Sequence, residues 1–413
     1  MRFQNVIFCD KKFFDTLSFL WKFWVMTLST QPYKGTRDFY PEDLAKRNYI
    51  FNTWRKVLIA SGFVEYDCSI LESAEMYLAK SGEELGSKQL YAFEDKGERK
   101  IALRPEMTPS LARMVAGKFR ELKFPLRWFS IPNCFRYERP QKGRTREFWQ
   151  LNADIIGLEA GEADLEILLL LGKTFLEFGA TKEMFSIRYG HRGLLDEWIN
   201  KNNLNDKKEA VYALLDNWRK LVGDKKLAFA TELNLTDVEL GLISEMVENP
   251  DQIDTTSFAE IALIQKSLPI ILPEVEFVFD PTIVRGIAYY TGLVFEAFDH
   301  NPENNRAMFG GGRYDNLMEL FGQKSPAVGA AIGDLTWHEF LVGWNLYPEN
   351  LGESTKVGIL ALNRDSLTEI FGKTIPKLIS ENKLYEVNYE YERSENKRYD
   401  ALKKRGCGEV IKV

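Results

Sequence analysis

The stretch Phe135–Gly157, FRYERPQKGRTREFWQLNADIIG, decides the reading of this 413-residue chain. A loop crowded with fixed cations separates two segments that both read as strands. In the second, period-two alternation puts Phe148, Gln150, Asn152 and Asp154 on one face and Trp149, Leu151, Ala153 and Ile155 on the other. A core does not tolerate unpaired polar groups, so the first face points to a site. Arg136 and Glu138 are expected to share a face of the preceding segment, and the connection adds Arg139, Lys142, Gly143, Arg144 and Arg146. Guanidinium groups stay charged and grip phosphate oxygens bidentately, so this density suits a polyphosphate better than a single anion. The plainer meaning of such a charge run is an exposed hairpin with a solvated turn, and these residues alone leave both readings open.

Composition sets the frame. With 45% hydrophobic and 28% charged residues, the chain is globular and long enough for two or three domains. Cys9, Cys68, Cys134 and Cys407 lie far apart and form no C-x-x-C pair, which argues against a disulfide framework or a zinc site and for a reducing, cytoplasmic home. His191, His300 and His338 fall outside every candidate motif, so a histidine base or His-rich metal site has little support, and any metal is expected to ride on a nucleotide. A net charge of −6 disfavours bulk attraction to nucleic acid while leaving room for a local basic patch. Residues 1–25 are aromatic, but Asp10, Lys11, Lys12, Asp15 and Lys22 interrupt them too often for a membrane span. They also lack a secretory cleavage site and the bias of a transit peptide.

Outward from the decisive stretch, Pro41–Ala60 reads as a helix, with Ile50, Phe51, Trp54, Val57 and Leu58 at helical spacing and an end near Gly62. Val64–Leu71 and Lys100–Leu103 read as strands, Thr108–Lys118 and Ala163–Phe178 as helices. Residues 190–272 turn polar and helical, with no chemical motif, as an inserted helical domain would. Strand character resumes at Val275–Phe279 and Leu293–Phe298, and Ala327–Leu341 closes the core. After a linker, Lys356–Asn363, Ser366–Glu381 and Lys383–Tyr391 read as strand, helix and strand. The basic final stretch, with Arg393, Lys397, Arg398, Lys403, Lys404 and Arg405, fits either phosphate contact or a solvated helix face.

The wording of the cationic loop, Phe-Arg-x-Glu-Arg-Pro-x-x-Gly-Arg, resembles motif 2 of class II aminoacyl-tRNA synthetases, and with Gln141–Arg144 it resembles the histidyl-tRNA synthetase family. Lys34–Asp43 (KGTRDFYPED) is similar to the family's entry into motif 1, and Leu103–Thr108 (LRPEMT) to its amino-acid loop. Val284–Glu296 (VRGIAYYTGLVFE) resembles its histidine segment, and Gly310–Asp315 (GGGRYD) follows in order. The likeness covers most of residues 31–345. It implies an α+β fold: a class II core with a mixed, mainly antiparallel sheet flanked by helices, a helical insertion and a small α/β C-terminal domain. The expected division is 1–25 as an upstream extension, 26–189 and 273–347 as catalytic core, 190–272 as insertion and 355–413 as a partial anticodon-binding-like domain. Met26 resembles a natural family start, so residues 1–25 are expected to be dispensable, a short amphipathic anchor being the alternative. The resemblance further implies a homodimer through the first helix, an insertion at the acceptor end of tRNA(His), and a C-terminal domain that stops early at Val413.

The implied reaction joins L-histidine to ATP as histidyl-adenylate and then to tRNA(His). The amino acid's carboxylate is itself the nucleophile, so the protein supplies position and charge. Arg136 is expected to hold the α-phosphate and the carboxylate, with Arg285 opposite it stabilising the developing charge, as the family's arginine at that position does. Arg144 would reach the outer phosphates, Glu138 would accept from the adenine amino group, and Phe148 would stack on the base, with Mg2+ bridging the phosphates. Glu106 and Thr108, two apart in an extended loop, suit the α-ammonium together with Gln150, while Asp154 and Tyr290 suit the imidazole. Two plainer alternatives stand beside these: Tyr290 as core, and Glu106 as a partner for Arg104.

Three departures from the family pattern are visible. Motif 3 usually ends Gly-x-Glu-Arg, but GAAIGDLTW puts Leu335 and Thr336 there, which removes the usual arginine over adenine. Asp154 stands where a glutamate is usual, and Ala288 where an aspartate is common. A divergent branch that includes organellar enzymes is similar at all three places. The alternative from another class is the histidine-sensing, non-catalytic regulatory subunit of ATP phosphoribosyltransferase, which shares the core but lacks the basic motif 2 loop and the anticodon domain. A degenerate tRNA-binding paralogue is a third reading, and it predicts wider erosion of the ATP contacts.

Overall fold

The computed structural model describes residues 29–78, 89–284, 290–304, 307–351 and 356–413. The chain enters through α1 (Pro41–Ala60), whose Pro41, Glu42 and Asp43 suit a helix start. Then come β1 (Val64–Glu65), β2 (Leu71–Ser73), α2 (Ala74–Leu78), β3 (Tyr91–Glu94) and β4 (Lys100–Leu103). Helix α3 (Thr108–Gly117) leads to β5 (Leu126–Ser130), β6 (Asn133–Phe135), β7 (Glu147–Ile156), α4 (Glu162–Glu177) and β8 (Phe185–His191). Helices α5 (Arg192–Lys201), α6 (Lys208–Asn217), α7 (Asp224–Glu232), α8 (Asp237–Glu248) and α9 (Ala259–Ile271) occupy the polar helical stretch. The chain returns through β9 (Glu276–Phe279), β10 (Leu293–Asp299), β11 (Ala307–Arg313), β12 (Ala327–Gly333) and α10 (Asp334–Gly343). It closes with β13 (Lys356–Leu360), α11 (Ile375–Ser380), β14 (Tyr385–Asn388), α12 (Glu395–Lys404) and β15 (Cys407–Lys412).

The large sheet runs β1-β5-β7-β12-β11-β10-β8-β9, with β6 also paired to β7. Its outermost pairs, β1 with β5 and β8 with β9, are parallel and the others antiparallel, so the expected mixed, mainly antiparallel α+β core is present. The alternation along β7 is as read from the sequence: Leu151, Ala153 and Ile155 enter the main core with Trp54 of α1, Phe175 of α4, and Trp337 and Phe340 of α10. Those three helices therefore cover one face of the sheet. On the other face a smaller cluster, built on Leu111, Ala112 and Val115 of α3 with Leu317 and Met318, closes one end and leaves the polar row of β7 between them. The C-terminal strands form a separate parallel sheet, β14-β13-β15.

Several expectations change. Val64–Leu71 is not one strand: after Glu65 the chain turns off the sheet, where Arg104 binds the Asp67 carboxylate and the Cys68 carbonyl. The strand before the cationic loop ends at Phe135, so Arg136 and Glu138 lie beyond it and share no strand face. The helix expected over Ser366–Glu381 is present as Leu367–Ser380, with a π-helical turn at Ile370–Thr374 ahead of Pro376, which has no N–H to give the preceding turn. Arg398 belongs to neither reading of the basic stretch. It is buried, donating to the Asn388 side chain and to the Ala361 and Asn388 carbonyls, because α12 packs on β13 and β14 there. Residues 1–25, Arg285 and Ala288 lie outside the described residues.

Candidate active site

Register builds the floor of the site. Across the sheet, Trp128 of β5 pairs with Asp154 of β7, Asp154 with Gly329 of β12, and Gly329 with Gly312 of β11. The two glycines leave room that no other residue would. A Cβ at Gly329 would stand 2.0 Å from Asp154 Oδ1, and one at Gly312 would stand 2.6 Å from the Leu293 carbonyl oxygen and 2.8 Å from the Tyr290 ring. The Asp154 carboxylate and the Tyr290 ring therefore lie over adjacent glycines, on one face. Tyr290 is buried among Val294, Tyr314 and Ile283, so it meets the core expectation as well.

Asp154 is 3% exposed, and burial pushes its carboxyl up to about 7, against the pull of the Tyr314 hydroxyl. That hydroxyl donates to Oδ1 at 2.5 Å, while Oδ2 has no hydrogen-bond partner among the described residues. An acceptor kept free in a buried, aromatic-walled slot is what a ring N–H requires. Asn152 and Gln150 continue the polar row toward solvent, and Asn152 donates to the Gln150 carbonyl.

The polyphosphate end follows along β7. Arg136 donates from Nε to the Pro105 carbonyl oxygen at 2.9 Å, and its guanidinium sits 5.0 Å from the centre of the Phe148 ring. The arginine is thus held between the loop that carries Glu106 and the strand that carries Gln150. Glu106 is buried just before α3, and Thr108 is the first residue of that helix. Arg104 spends its Nε and Nη1 on the Asn133 carbonyl, Asp67 and the Cys68 carbonyl. The cationic loop is a tight hairpin in which Gln141 and Arg144 exchange backbone hydrogen bonds and Gly143 takes a positive φ of 71°. Arg144 pairs with Glu138 at 3.1 Å, so the outer-phosphate and adenine candidates hold each other.

The altered motif 3 is also accounted for. Thr336 turns its hydroxyl back to the Met308 carbonyl oxygen at 2.7 Å, and the hairpin tip rests beside it: a Cβ at Gly143 would stand 3.7 Å from Thr336 Cγ2 and 3.4 Å from Glu339 Oε2. Asp334, a residue earlier than the missing glutamate, accepts from the Trp149 N–H at 2.9 Å and pairs with Arg37 at 2.7 Å. It ties the start of α10 to β7 and to the segment before α1.

Sequence reasoning missed Tyr314 and Arg313. Arg313 is 2% exposed and binds Asp164, Asp315 and the carbonyls of Leu158 and Glu159. The run of glycines before them was the available signal, since three small residues in a strand mark a close approach. Nothing in the sequence marked Tyr66 and Ser130, on the β1–β5 side.

A mainly antiparallel sheet with an arginine-bearing hairpin at one end of a polar strand, a buried carboxylate at the other and a helix start beside the hairpin defines a class II aminoacyl-tRNA synthetase core. The family profile described as histidyl-tRNA synthetase matches residues 35–334. The chain belongs to that family. It is 44% identical over 355 residues to the histidine–tRNA ligase of Leptospira biflexa, covering 83% of this chain and 80% of the relative. To the chloroplastic/mitochondrial histidine–tRNA ligase of Arabidopsis thaliana it is 37% identical, covering 82% and 71%. Among solved structures, the histidyl-tRNA synthetase of Nostoc sp. PCC 7120 superposes with a TM-score of 0.77 at 22% identity, over 94% of this chain and 92% of that one. A Bacillus halodurans protein described as an ATP phosphoribosyltransferase regulatory subunit/histidyl-tRNA synthetase gives 0.76 at 20% identity, over 94% and 99%. At these identities the two structures speak to the fold alone.

Proposed function

We propose that the chain is an ATP-dependent histidine–tRNA ligase whose imidazole site is the slot between Asp154 and Tyr290. The observation that carries this reading is the free Oδ2 of Asp154, buried on a glycine floor along the same strand face as the arginine hairpin. The relatives' function supports the chemistry, and the residue roles are our reading of their positions. Asp154 accepts from a ring N–H, Tyr290 closes over the ring, and Gln150, Glu106 and Thr108 serve the α-ammonium. Arg136, between the amino-acid loop and the nucleotide, steadies the carboxylate and the α-phosphate as the bond between them forms and pyrophosphate leaves; Arg285 is assigned the opposite side on family grounds. Glu138 and Arg144 exchange their mutual contact for adenine and the outer phosphates, and Phe148 offers a ring to the base.

Among the described residues no cluster of His, Cys, Asp or Glu could hold a metal ion. We assign Mg2+ to the nucleotide, where it would neutralise the phosphates. We infer tRNA(His) as the acceptor and a homodimer through the α1–β1 region, where Ile59, Val64, Ile70 and Leu71 are exposed. The domain division stated from the sequence is kept as our reading, with α5–α9 as the insertion. No helix among the described residues is long and apolar enough to cross a membrane. The free thiols Cys68, Cys134 and Cys407 fit the cytoplasmic home we infer. The regulatory-subunit reading is not favoured: the cationic hairpin and the β13-α11-β14 unit are both present.

Histidine-dependent ATP–pyrophosphate exchange tests the proposal, with the chain from Met26 and with Arg136→Ala and Arg285→Ala as controls. Exchange that needs histidine and collapses in both variants supports it. A folded chain that binds histidine without exchange would overturn it.

A further inference from the structure

Three buried oxygens belong to the same polar face: Asp154 Oδ2, which has no hydrogen-bond partner among the described residues, and Ser130 Oγ and Tyr66 Oη, which have only each other within reach. Only the first is explained by the reading above. Register brings the other two beside it. Trp128 is the strand partner of Asp154, and Ser130, two residues on, is the partner of Asn152. The chain leaving β1 gives the Tyr66 N–H to the Phe129 carbonyl, which sets its side chain against β5, and its ring lies 5.6 Å from that of Trp128. Electrostatics agrees with this placement: burial pushes the Tyr66 hydroxyl well up, the Asp154 charge pushes the same way, and the neighbouring Ser130 hydroxyl opposes both. Phenylalanine and alanine would fill the same space without leaving polar atoms unpaired, and unpaired buried oxygens cost stability. The oxygens are therefore retained for something that enters the slot.

We propose that Tyr66 and Ser130 are positioning residues for histidine specificity, completing with Asp154 a three-oxygen cup for the polar edge of the imidazole. The inference rests on the reading of Asp154 as the imidazole partner. When the ring N–H engages Oδ2, the Tyr66 hydroxyl, backed by Ser130, donates toward the same carboxylate and favours its ionised form. Asp154 is one methylene shorter than the glutamate usual at this position, so it draws its support from the β1–β5 side of the slot. A ring without nitrogen gives this carboxylate no N–H, and the cup rejects it.

Tyr66→Phe keeps the ring against Trp128 and removes only the hydroxyl. In ATP–pyrophosphate exchange the KM for histidine is expected to rise about 10- to 100-fold, as loss of one hydrogen bond to a charged group would cause, with kcat and the KM for ATP within about twofold. The pH below which the histidine KM climbs should also move upward, because the carboxylate has lost a donor that favoured ionisation. A purely structural role would move kcat and the KM for ATP together and leave that pH unchanged. Ser130→Ala should act in the same direction more weakly, and it carries the test if Tyr66→Phe does not fold. Unchanged histidine KM and pH dependence in both variants, beside a large rise in Asp154→Ala, would overturn the cup and leave the site reading standing. An unchanged KM in Asp154→Ala would overturn both.

Discussion

The Tyr314 hydroxyl reaches Asp154 Oδ1 at 2.5 Å across a sequence separation of 160 residues. Tyr314 follows the last residue of β11, and β12 lies between that strand and β7. The carboxylate can reach the hydroxyl because Gly329, the strand partner of Asp154, has no side chain: a Cβ there would stand 2.0 Å from Oδ1. The candidate pocket is thus shaped as much by an absent atom as by the polar groups around it.

Gly329→Ala should therefore remove histidine recognition. A methyl 2.0 Å from Oδ1 cannot be accommodated by a short, buried aspartate without breaking the Tyr314 bond, and the Ala153 carbonyl oxygen, 3.1 Å away, blocks the other side. We expect the KM for histidine to rise about 100-fold or more while ATP binding persists, since the site's polar groups would be left mispaired. Separate titrations of the two substrates check this.

Asp154→Asn should separate stability from function. Burial raises the Asp154 carboxyl to about 7, so the folded state binds a proton over a range where the unfolded chain does not. Stability then falls as pH rises from about 4 to about 7, and the penalty is fully present above 7. The amide removes it, and the variant is expected to be more stable at pH 8 by about 1–4 kcal/mol, with the gain fading toward pH 4. It should bind histidine poorly at every pH, because an amide is a weaker acceptor for the ring N–H. Thermal unfolding at pH 5 and pH 8, with and without histidine, reads both effects.

Arg136→Ala is expected to slow exchange by about 10²- to 10³-fold, the cost of losing one preorganised electrostatic donor. Arg136→Lys should recover little. The guanidinium anchors itself to the Pro105 carbonyl through Nε and lies over Phe148 while its other nitrogens stay available, and an ammonium cannot do all three. Single-turnover adenylate formation in the two variants would show whether the planar fork is needed.

The sheet and both ends of the site were legible because period-two alternation assigns faces directly, and the polar row of β7 could be read from four residues. The cationic loop was legible as chemistry but not as conformation: strand pairing stops at Phe135, and a tight hairpin carries the arginines instead. Tyr314 and Arg313 were marked only by the glycine run before them, and Tyr66 and Ser130 by nothing in the sequence. Their importance lies in which strands become neighbours, and the order β1-β5-β7-β12-β11 joins segments far apart in the chain. Arg398 shows the converse, a residue read from a basic stretch as surface whose guanidinium serves the packing of its own small domain.

Arg313→Met should show how the pocket's far wall is held. The guanidinium is buried with Asp164, contacts Asp315, and takes the carbonyls of Leu158 and Glu159, so one side chain fixes the turn after β7, the start of α4 and the end of β11. Deleting it strands Asp164, which is fully buried and whose carboxyl burial already pushes upward against the pull of Arg313. A loss of about 3–5 kcal/mol is expected, the usual cost of breaking a buried ion pair from one side. Because Tyr314 is the next residue, the histidine KM should rise even under conditions where the variant is folded. Adding Asp164→Asn removes the stranded charge while keeping a side-chain oxygen for the Gly161 N–H. The double variant is expected to regain part of the stability but not the histidine KM, because the charge penalty is relieved while the position of Tyr314 is still unsupported. Recovery of both in thermal unfolding and exchange assays would mean that Arg313 acts on the pocket only through global stability.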